Sequence, residues 1–389
     1  MLERILSDQF LRKLDSIEYG RLTLTTPSGV RYEFEGSEPG VHANMQLNRW
    51  SALSNIMIKG DVGLADGYYR GAWDTDNLNN LIQFGVSNSS KLEHFISGNR
   101  VVNALVGFSY KMRLNTLQGS KRNIQEHYDL GNEFYKLWLD SSMTYSSAIF
   151  DDKDAKQSLE HAQANKYQRI VERLDRPTGN ILEVGCGWGG FIEHAVTRGD
   201  HHVKGITLSN EQHQYAQQRL SNFDSDVVLE DYRHQNGKYD SIVSIEMFEA
   251  VGEKFWPIYF SKLASLLNRS GKAVIQTITI DDSSFDTYRK SSDCIRSYIF
   301  PGGMLPSKQR FSEEASRAGL KITDRYDFGQ DYARTLEVWL HNFDRVSDKL
   351  LTLGFDDAFM RIWRFYLGIC IAGFKTGKTD VMQVELQHV

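Results

Sequence analysis

The sequence predicts an α/β protein with a Rossmann-like nucleotide site and a smaller α+β domain ahead of it, on three observations. An apolar strand, Ile181-Leu182-Glu183-Val184, opens onto Gly185-Cys186-Gly187-Trp188-Gly189-Gly190 and a helix, and a second strand follows at Val203-Lys204-Gly205-Ile206. Further apolar runs at residues 226–230, 241–245 and 272–278 read as a third, fourth and fifth strand. The length, 389 residues, favours two domains over one.

Composition removes several function classes. Charged residues make up 24% and the formal net charge is -5, so no global basicity points to a nucleic-acid partner. Cys186, Cys294 and Cys370 form no C-x-x-C pair, which indicates neither a zinc site nor a disulfide framework and suits a reducing cytoplasm. The stretch Met1-Leu2-Glu3-Arg4-Ile5-Leu6 has no long apolar segment after it, and no run of 18 apolar residues occurs. The expectation is a cytoplasmic protein that is soluble or peripheral to a membrane.

Taken in order, residues 1–98 read as the smaller α+β domain. Leu2, Ile5, Leu6, Phe10 and Leu14 share one helical face, which suits a helix packed on its own domain better than a membrane-surface or dimer helix. Alternation over residues 20–25 and 30–34, around Pro27-Ser28-Gly29, predicts a β-hairpin, and strand and turn signals continue through Met57-Ile58-Lys59-Gly60 to Gly67-Tyr68-Tyr69 and Trp73. Residues 99–123 form a basic linker carrying Lys111, Arg113, Lys121 and Arg122, with Arg100 at its start; it serves either as a solvated connector or as a contact for anionic phospholipid headgroups. Residues 124–389 make the larger domain.

The glycine turn sets the chemistry. Gly185, Gly187 and Gly189 let a ligand lie against the main chain at a helix N-terminus, although a turn of this kind also suits strand-helix packing alone. A dinucleotide fingerprint would read G-x-G-x-x-G with an acid about 20 residues on; here the pattern is G-x-G-x-G-G and the second strand runs into Thr207-Leu208-Ser209. Glu183, two residues before the first glycine, resembles the acid of S-adenosylmethionine-dependent methyltransferases. Aromatic residues just ahead of the turn, in 125–135 and Met143-Thr144-Tyr145-Ser146-Ser147, suit a lid whose π faces shield a sulfonium. The third strand ends in acids, the fourth delivers Glu246, Phe248 and Glu249 to the same crevice, residues 298–303 begin a loop suited to capping a substrate, and the aromatic helix 359–374 contains Cys370.

Six stretches in order resemble the cyclopropane-fatty-acyl-phospholipid synthases and their mycolic-acid relatives, from about Glu126 to Glu385. They are His127-Tyr128-Asp129-Leu130-Gly131-Asn132, Met143-Thr144-Tyr145-Ser146, the run from Glu183 to Gly190, Met247-Phe248-Glu249, Tyr298-Ile299-Phe300-Pro301-Gly302-Gly303 and Phe328-Gly329-Gln330-Asp331-Tyr332. The resemblance implies a Rossmann-like S-adenosylmethionine methyltransferase fold, an N-terminal lipid-handling domain, unsaturated phospholipid acyl chains as substrate, peripheral membrane association and a homodimer. It implies cofactor contacts from Tyr128, Tyr145, Ser146, Gly185, Gly187, Trp188, Gly189, Thr207, Leu208, Gln212, Asp231 and Tyr232. The catalytic residues expected are Glu246, Glu249, Tyr332 and Cys370, with no metal.

The chain departs from the family where the resemblance implies a bound bicarbonate. Glu249 survives and the carbonyl position is Ile278, but Ser147, Gln276 and Leu340 stand where a cysteine, a histidine and a tyrosine are implied, and Glu246 stands where glycine is usual. An alkene that takes a methyl becomes a carbocation and must lose a proton to a base. Loss from the new methyl closes a cyclopropane or, after a hydride shift, leaves a methylene chain; loss from a neighbouring carbon leaves a methyl-branched chain. Glu246, three residues from Glu249 and on one face of any helical turn there, is the candidate to replace bicarbonate as that base, or else an acid favoured by a helix dipole. A catalytically silent lipid-binding protein and a small-molecule methyltransferase are the competing readings; the retained cofactor constellation opposes the first, and the basic linker and aromatic helix oppose the second.

Overall fold

The computed structural model describes residues 9–92, 130–151, 156–176, 178–291 and 293–389. Tyr128 and the basic residues expected in the linker lie outside them. The chain divides into two compact units that do not follow a cut near residue 98 or 124: Thr287–Pro301 and Asp344–Gly377 belong with the N-terminal residues in one unit, and the other joins the central segment to Gly302–Phe343 and Lys378–Val389.

In the first unit, β1 (Tyr19–Thr25), β2 (Arg31–Glu35), β3 (Glu38–Leu47) and β4 (Trp73–Asp74) form a sheet in the order β2-β1-β3-β4. The expected hairpin is there, with Thr25 opposite Arg31. The strand signals around 57–60 and 67–69 are corrected, because residues 57–59 and 67–69 belong to the helices Ser51–Lys59 and Asp61–Tyr69, with Gly60 the turn between them. Ala52, Leu53 and Ile56 recur at helical spacing and are buried, and Gly60, at φ 64°, closes the first helix by donating to the Ile56 carbonyl. A short apolar run such as Met57-Ile58 has no periodicity long enough to separate the two structures. The helix Asp357–Lys375 packs Ile362, Phe365 and Ala372 into the same core as Leu53, Tyr68 and Ile82.

The second unit is the α/β unit. Its strands are β5 (Thr178–Val184), β6 (Asp200–Thr207), β7 (Ser225–Leu229), β8 (Tyr239–Ile245), β9 (Leu267–Ile280), β10 (Leu320–Asp327) and β11 (Thr379–His388), in the order β10-β11-β9-β8-β5-β6-β7. The five predicted strands are all present and run parallel to their neighbours among themselves. The antiparallel pair β10 and β11, absent from the sequence reading, extends the sheet beyond β9. The solvent-facing alternation of β10 and the Gln383 and Glu385 inside β11 weaken the apolar signal that marks the other strands. From β5 the sheet grows one way through β6 and the other way through β8. Such a reversal opens a crevice at the carboxyl ends of the strands, and the glycine turn lies there.

Candidate active site

The turn after β5 is tied to β6, since Gly185 and Cys186 both donate to the Ile206 carbonyl at 3.0 Å. Its glycines have different reasons to be there. A Cβ at Gly185 would sit 2.7 Å from Met247 Cγ, so close packing excludes a side chain, whereas a Cβ at Gly187, at φ 53°, would meet nothing within 4 Å. Gly187 therefore borders open space rather than core. That space is an open cleft lined by Tyr145, Ser146, Gly185, Gly187, Trp188, Thr207, Leu208, Gln212 and Tyr232, each among the residues expected around a cofactor. Thr207 Oγ1 donates to Gln212 Oε1 at 2.8 Å, and Trp188 Nε1 donates to Asn132 Oδ1 at 2.7 Å, which hold both side chains at the wall. Tyr145 is itself packed among Tyr135, Trp138 and Trp339, with centroids 5.3–5.6 Å away.

Two of the residues expected around a cofactor are placed differently. Gly189 is the N-cap of the helix Gly190–Arg198, with Ala216 and Leu220 beside its α-carbon. Asp231 is held by Arg233, at 2.8 Å from Nε and 2.6 Å from Nη2, and its neighbours Glu230 and Tyr232 border the cleft instead. A strand end presents alternate residues to opposite sides, so consecutive acids cannot both face the crevice.

The sequence reading omitted Lys166, the buried cation of this site. It lies on the helix Leu159–Leu174, whose buried face is Leu159, Ala162, Gln163, Lys166, Tyr167, Ile170 and Leu174. A lysine in that i, i+3, i+4, i+7 row was the available signal. Its Nζ donates to Ser146 Oγ at 2.7 Å and sits 4.4 Å from the centroid of the Tyr167 ring. Burial lowers its pKa to about 7, against the attraction of Glu246, Asp140 and Glu183. Glu183 lines the cleft with Oε2 buried and unpartnered, and burial raises its carboxyl to about 8, opposed by Lys166 and Arg219. An orphaned acceptor beside an open glycine turn and aromatic walls fits S-adenosylmethionine, whose ammonium is a donor in search of such an oxygen.

Next to this cleft the two glutamates converge on β9. Glu246 follows β8 in the left-handed region, at φ 50°, and its N–H donates to the Gln276 carbonyl at 2.8 Å. Its Oε1 accepts from the Ser147 N–H at 2.8 Å and Gln276 Nε2 at 2.7 Å, and its Oε2 accepts from the Tyr332 hydroxyl at 2.6 Å. Burial lifts this carboxyl above its ordinary range, and hydrogen bonds from Tyr332, Gln276 and Ser147 and the charge of Lys166 hold it down. Glu249, in a short 3-10 turn, accepts at Oε1 from the Ile278 N–H at 2.5 Å and Thr277 Oγ1 at 3.0 Å, while Oε2 is buried without a partner. Burial first, then the nearby Glu246, raises it to about 8. The expected shared helical face is corrected: Glu246 and Glu249 come together because they bond to Gln276 and Ile278, two residues apart on one strand.

Of the remaining predicted residues, Tyr332 is in this cluster and Leu340 is half-buried on the same helix, Gly329–Arg345. Cys370 belongs to the other compact unit, on the helix Asp357–Lys375, where burial and Asp293 push its thiol up. A thiol held protonated by burial is a poor nucleophile.

Comparison with known proteins agrees with this geometry. Residues 115–384 match the family described as mycolic acid cyclopropane synthetase. The chain is 35% identical to a tuberculostearic acid methyltransferase of Mycobacterium tuberculosis, over 87% of this chain and 82% of that one. It is 32% identical to the cyclopropane-fatty-acyl-phospholipid synthase of Escherichia coli, over 90% and 88% respectively. Among solved structures it matches the cyclopropane synthase MmaA2 of Mycobacterium tuberculosis at a TM-score of 0.64 and 29% identity, covering 68% of this chain and 97% of that one. The mycolic acid cyclopropane synthase CmaA1 in complex with SAH and CTAB matches at 0.64 and 33%, covering 69% and 98%. Fold, cleft and relatives together make this chain an S-adenosylmethionine-dependent methyltransferase that belongs to the mycolic acid cyclopropane synthetase family.

Proposed function

We propose that the protein methylates the double bond of unsaturated acyl chains in membrane phospholipids to give a cyclopropane fatty acid, with Glu246 as the base. The observation that carries the reading is the Glu246 carboxylate, which rests on Ser147, Gln276 and Tyr332. Two of these, Ser147 and Gln276, occupy positions where the family resemblance implies a bicarbonate ligand. S-adenosylmethionine, when bound, would supply the electrophilic methyl and keep the electron pair of the broken S–CH3 bond on its sulfur. Tyr145, Ser146, Gly187, Trp188, Thr207, Leu208, Gln212 and Tyr232 would hold it, with Glu183 as acceptor for its ammonium. The alkene π pair forms the new C–C bond, and Glu246 takes the proton the resulting cation must lose. If that proton leaves the new methyl, its C–H pair closes the ring. The phospholipid substrate is supported by the likeness to the Escherichia coli synthase.

A second reading, a methyl-branched or methylene product, is favoured by the 35% identity to a tuberculostearic acid methyltransferase. A donor carrying CD3, followed by mild hydrogenation of the lipid product, separates them: mass spectrometry finds three deuteriums in a methyl branch and two in a ring or an exocyclic methylene, and of the last two only the methylene takes up hydrogen. Two deuteriums without uptake are expected, and three retained deuteriums, or uptake of hydrogen, overturn the cyclopropane assignment. Peripheral attachment to the cytoplasmic face of the membrane and a homodimer belong to the same proposal, supported by Arg100, Lys111, Arg113, Lys121 and Arg122 and by the family resemblance. Among the described residues no helix is long and apolar enough to cross a membrane.

A further inference from the structure

Resting on the reading of Glu246 as base, we propose that Gln383, anchored by Arg169, is a positioning residue that fixes the amide polarity of Gln276 so that an N–H, and not a carbonyl, faces the Glu246 carboxylate. Gln276 on β9 and Gln383 on β11 are directly opposed in register, and both side chains are fully buried. The chain of contacts runs in one direction. Arg169, a donor with no acceptor, donates from Nη1 to Gln383 Oε1 at 3.3 Å and from Nη2 to Asp324 Oδ2 at 2.7 Å. Gln383 must then present its amide nitrogen to the interior, where Nε2 donates to Gln276 Oε1 at 3.0 Å and to the Lys166 carbonyl at 3.4 Å. With its oxygen so engaged, Gln276 turns Nε2 to Glu246 Oε1 at 2.7 Å and to the Ser147 carbonyl at 3.3 Å.

Each amide thus meets only complementary partners, and reversing either one breaks several contacts at once. A flipped Gln276 would set its oxygen against a carboxylate and a carbonyl; a flipped Gln383 would set its NH2 against a guanidinium. The other groups facing Glu246 are the Tyr332 hydroxyl from the helix Gly329–Arg345, Lys166 from the helix Leu159–Leu174 and Glu249 from the 3-10 turn. None of them bonds either amide side chain through its own side chain. A donor on Oε1 favours the ionised base, so polarity at the Arg169 end sets the basicity of a carboxylate two side chains away.

The test is the pH dependence of kcat in Gln383→Glu, Gln276→Met and the double variant, with Glu246→Gln as control. The carboxylate in Gln383→Glu accepts from Arg169 but has no donor for Gln276, which rotates to offer its own NH2 and turns its oxygen to Glu246. The expected result is an acidic limb moved up by about one pH unit or more, a tenfold or larger loss at neutral pH recovered on the alkaline side, and an unchanged KM for S-adenosylmethionine. Gln276→Met moves the limb too, and in the double variant the shift is smaller than the sum, because the route through Gln276 is gone. Additive shifts, which direct repulsion between two carboxylates would give, or an unmoved limb overturn the inference. If Gln383→Glu does not fold, Arg169→Met is expected to move the limb in the same direction and Arg169→Lys, still donor-only, to restore it; an unmoved limb in Arg169→Met is then the overturning result. Glu246→Gln as active as the parent overturns the base assignment itself, whereas an inactive Glu246→Gln with additive shifts overturns only the role of Gln383.

Discussion

Glu246 holds a backbone conformation that glycine adopts freely and other residues adopt at a cost of about 1–3 kcal/mol, at φ 50°. Such strain persists where surrounding contacts over-determine it, here three hydrogen bonds to the carboxylate. Glu246→Gln keeps the shape and loses the basicity, so turnover should fall roughly 100-fold or more, and the parent should be indifferent to removal of carbonate. Glu246→Gly relieves the backbone and orphans the Ser147, Gln276 and Tyr332 donors, which added bicarbonate should partly satisfy, restoring some rate. Steady-state rates in bicarbonate-free buffer check both; a bicarbonate-dependent parent with Glu246→Gln nearly unaffected would return the role to a bound anion. At this scale the sequence was legible where one residue type has one use, as at Gly187 and Tyr145. It was not legible at Asp231, which is held in a salt bridge to Arg233 while its neighbours Glu230 and Tyr232 line the cleft.

The helix Leu159–Leu174 shows how an element carries the site's electrostatics. Its Ser158 cap accepts from the His161 N–H, its apolar row buries it against the sheet, and that row carries Lys166 inward. Burial lowers the Lys166 pKa to about 7, while the unfolded chain keeps the ordinary lysine value near 10.4. Between these values the unfolded state binds the extra proton, so the stability owed to this group rises with pH from about 7 to about 10 and is lost as pH falls through that window. Lys166→Met lacks this rise. Its thermal midpoint relative to the parent should therefore decline steadily across pH 7.5 to 10, and a difference independent of pH would show that Lys166 is charged in the fold throughout. Glu183 and Glu249, both raised to about 8, act oppositely: the folded state retains their protons longer, so their contribution is lost as pH rises from about 4.5 to about 8.

At the scale of the whole molecule, access to a bilayer is the property to test. Charge reversal at Lys111, Arg113, Lys121 and Arg122 should weaken sedimentation with anionic vesicles and make the residual binding less sensitive to salt, each basic residue near such a surface contributing about 1 kcal/mol. A quadruple variant that pellets as well as the parent leaves these residues as a connector. The division into units also bears on how variants are interpreted. Because Asp344–Gly377 packs with N-terminal residues and Lys378–Val389 completes the other sheet, truncation after residue 343 removes part of both cores.

By itself the sequence determined the α/β class, five of the seven strands of the large sheet, the glycine turn and part of the cleft wall, because each rests on local periodicity or on a backbone conformation that few residues tolerate. It also determined that a glutamate stands where the family resemblance implies glycine. Tertiary structure alone decided that Gln383, more than 200 residues from Lys166 in sequence, closes a hydrogen-bonded chain with it and Gln276. It also decided that Cys370 lies in the unit that does not contain Glu246 and Glu249, and that helix rather than strand covers residues 57–59. Burial and pairing at such distances depend on which strands become neighbours in the sheet, and no window of local sequence contains that choice.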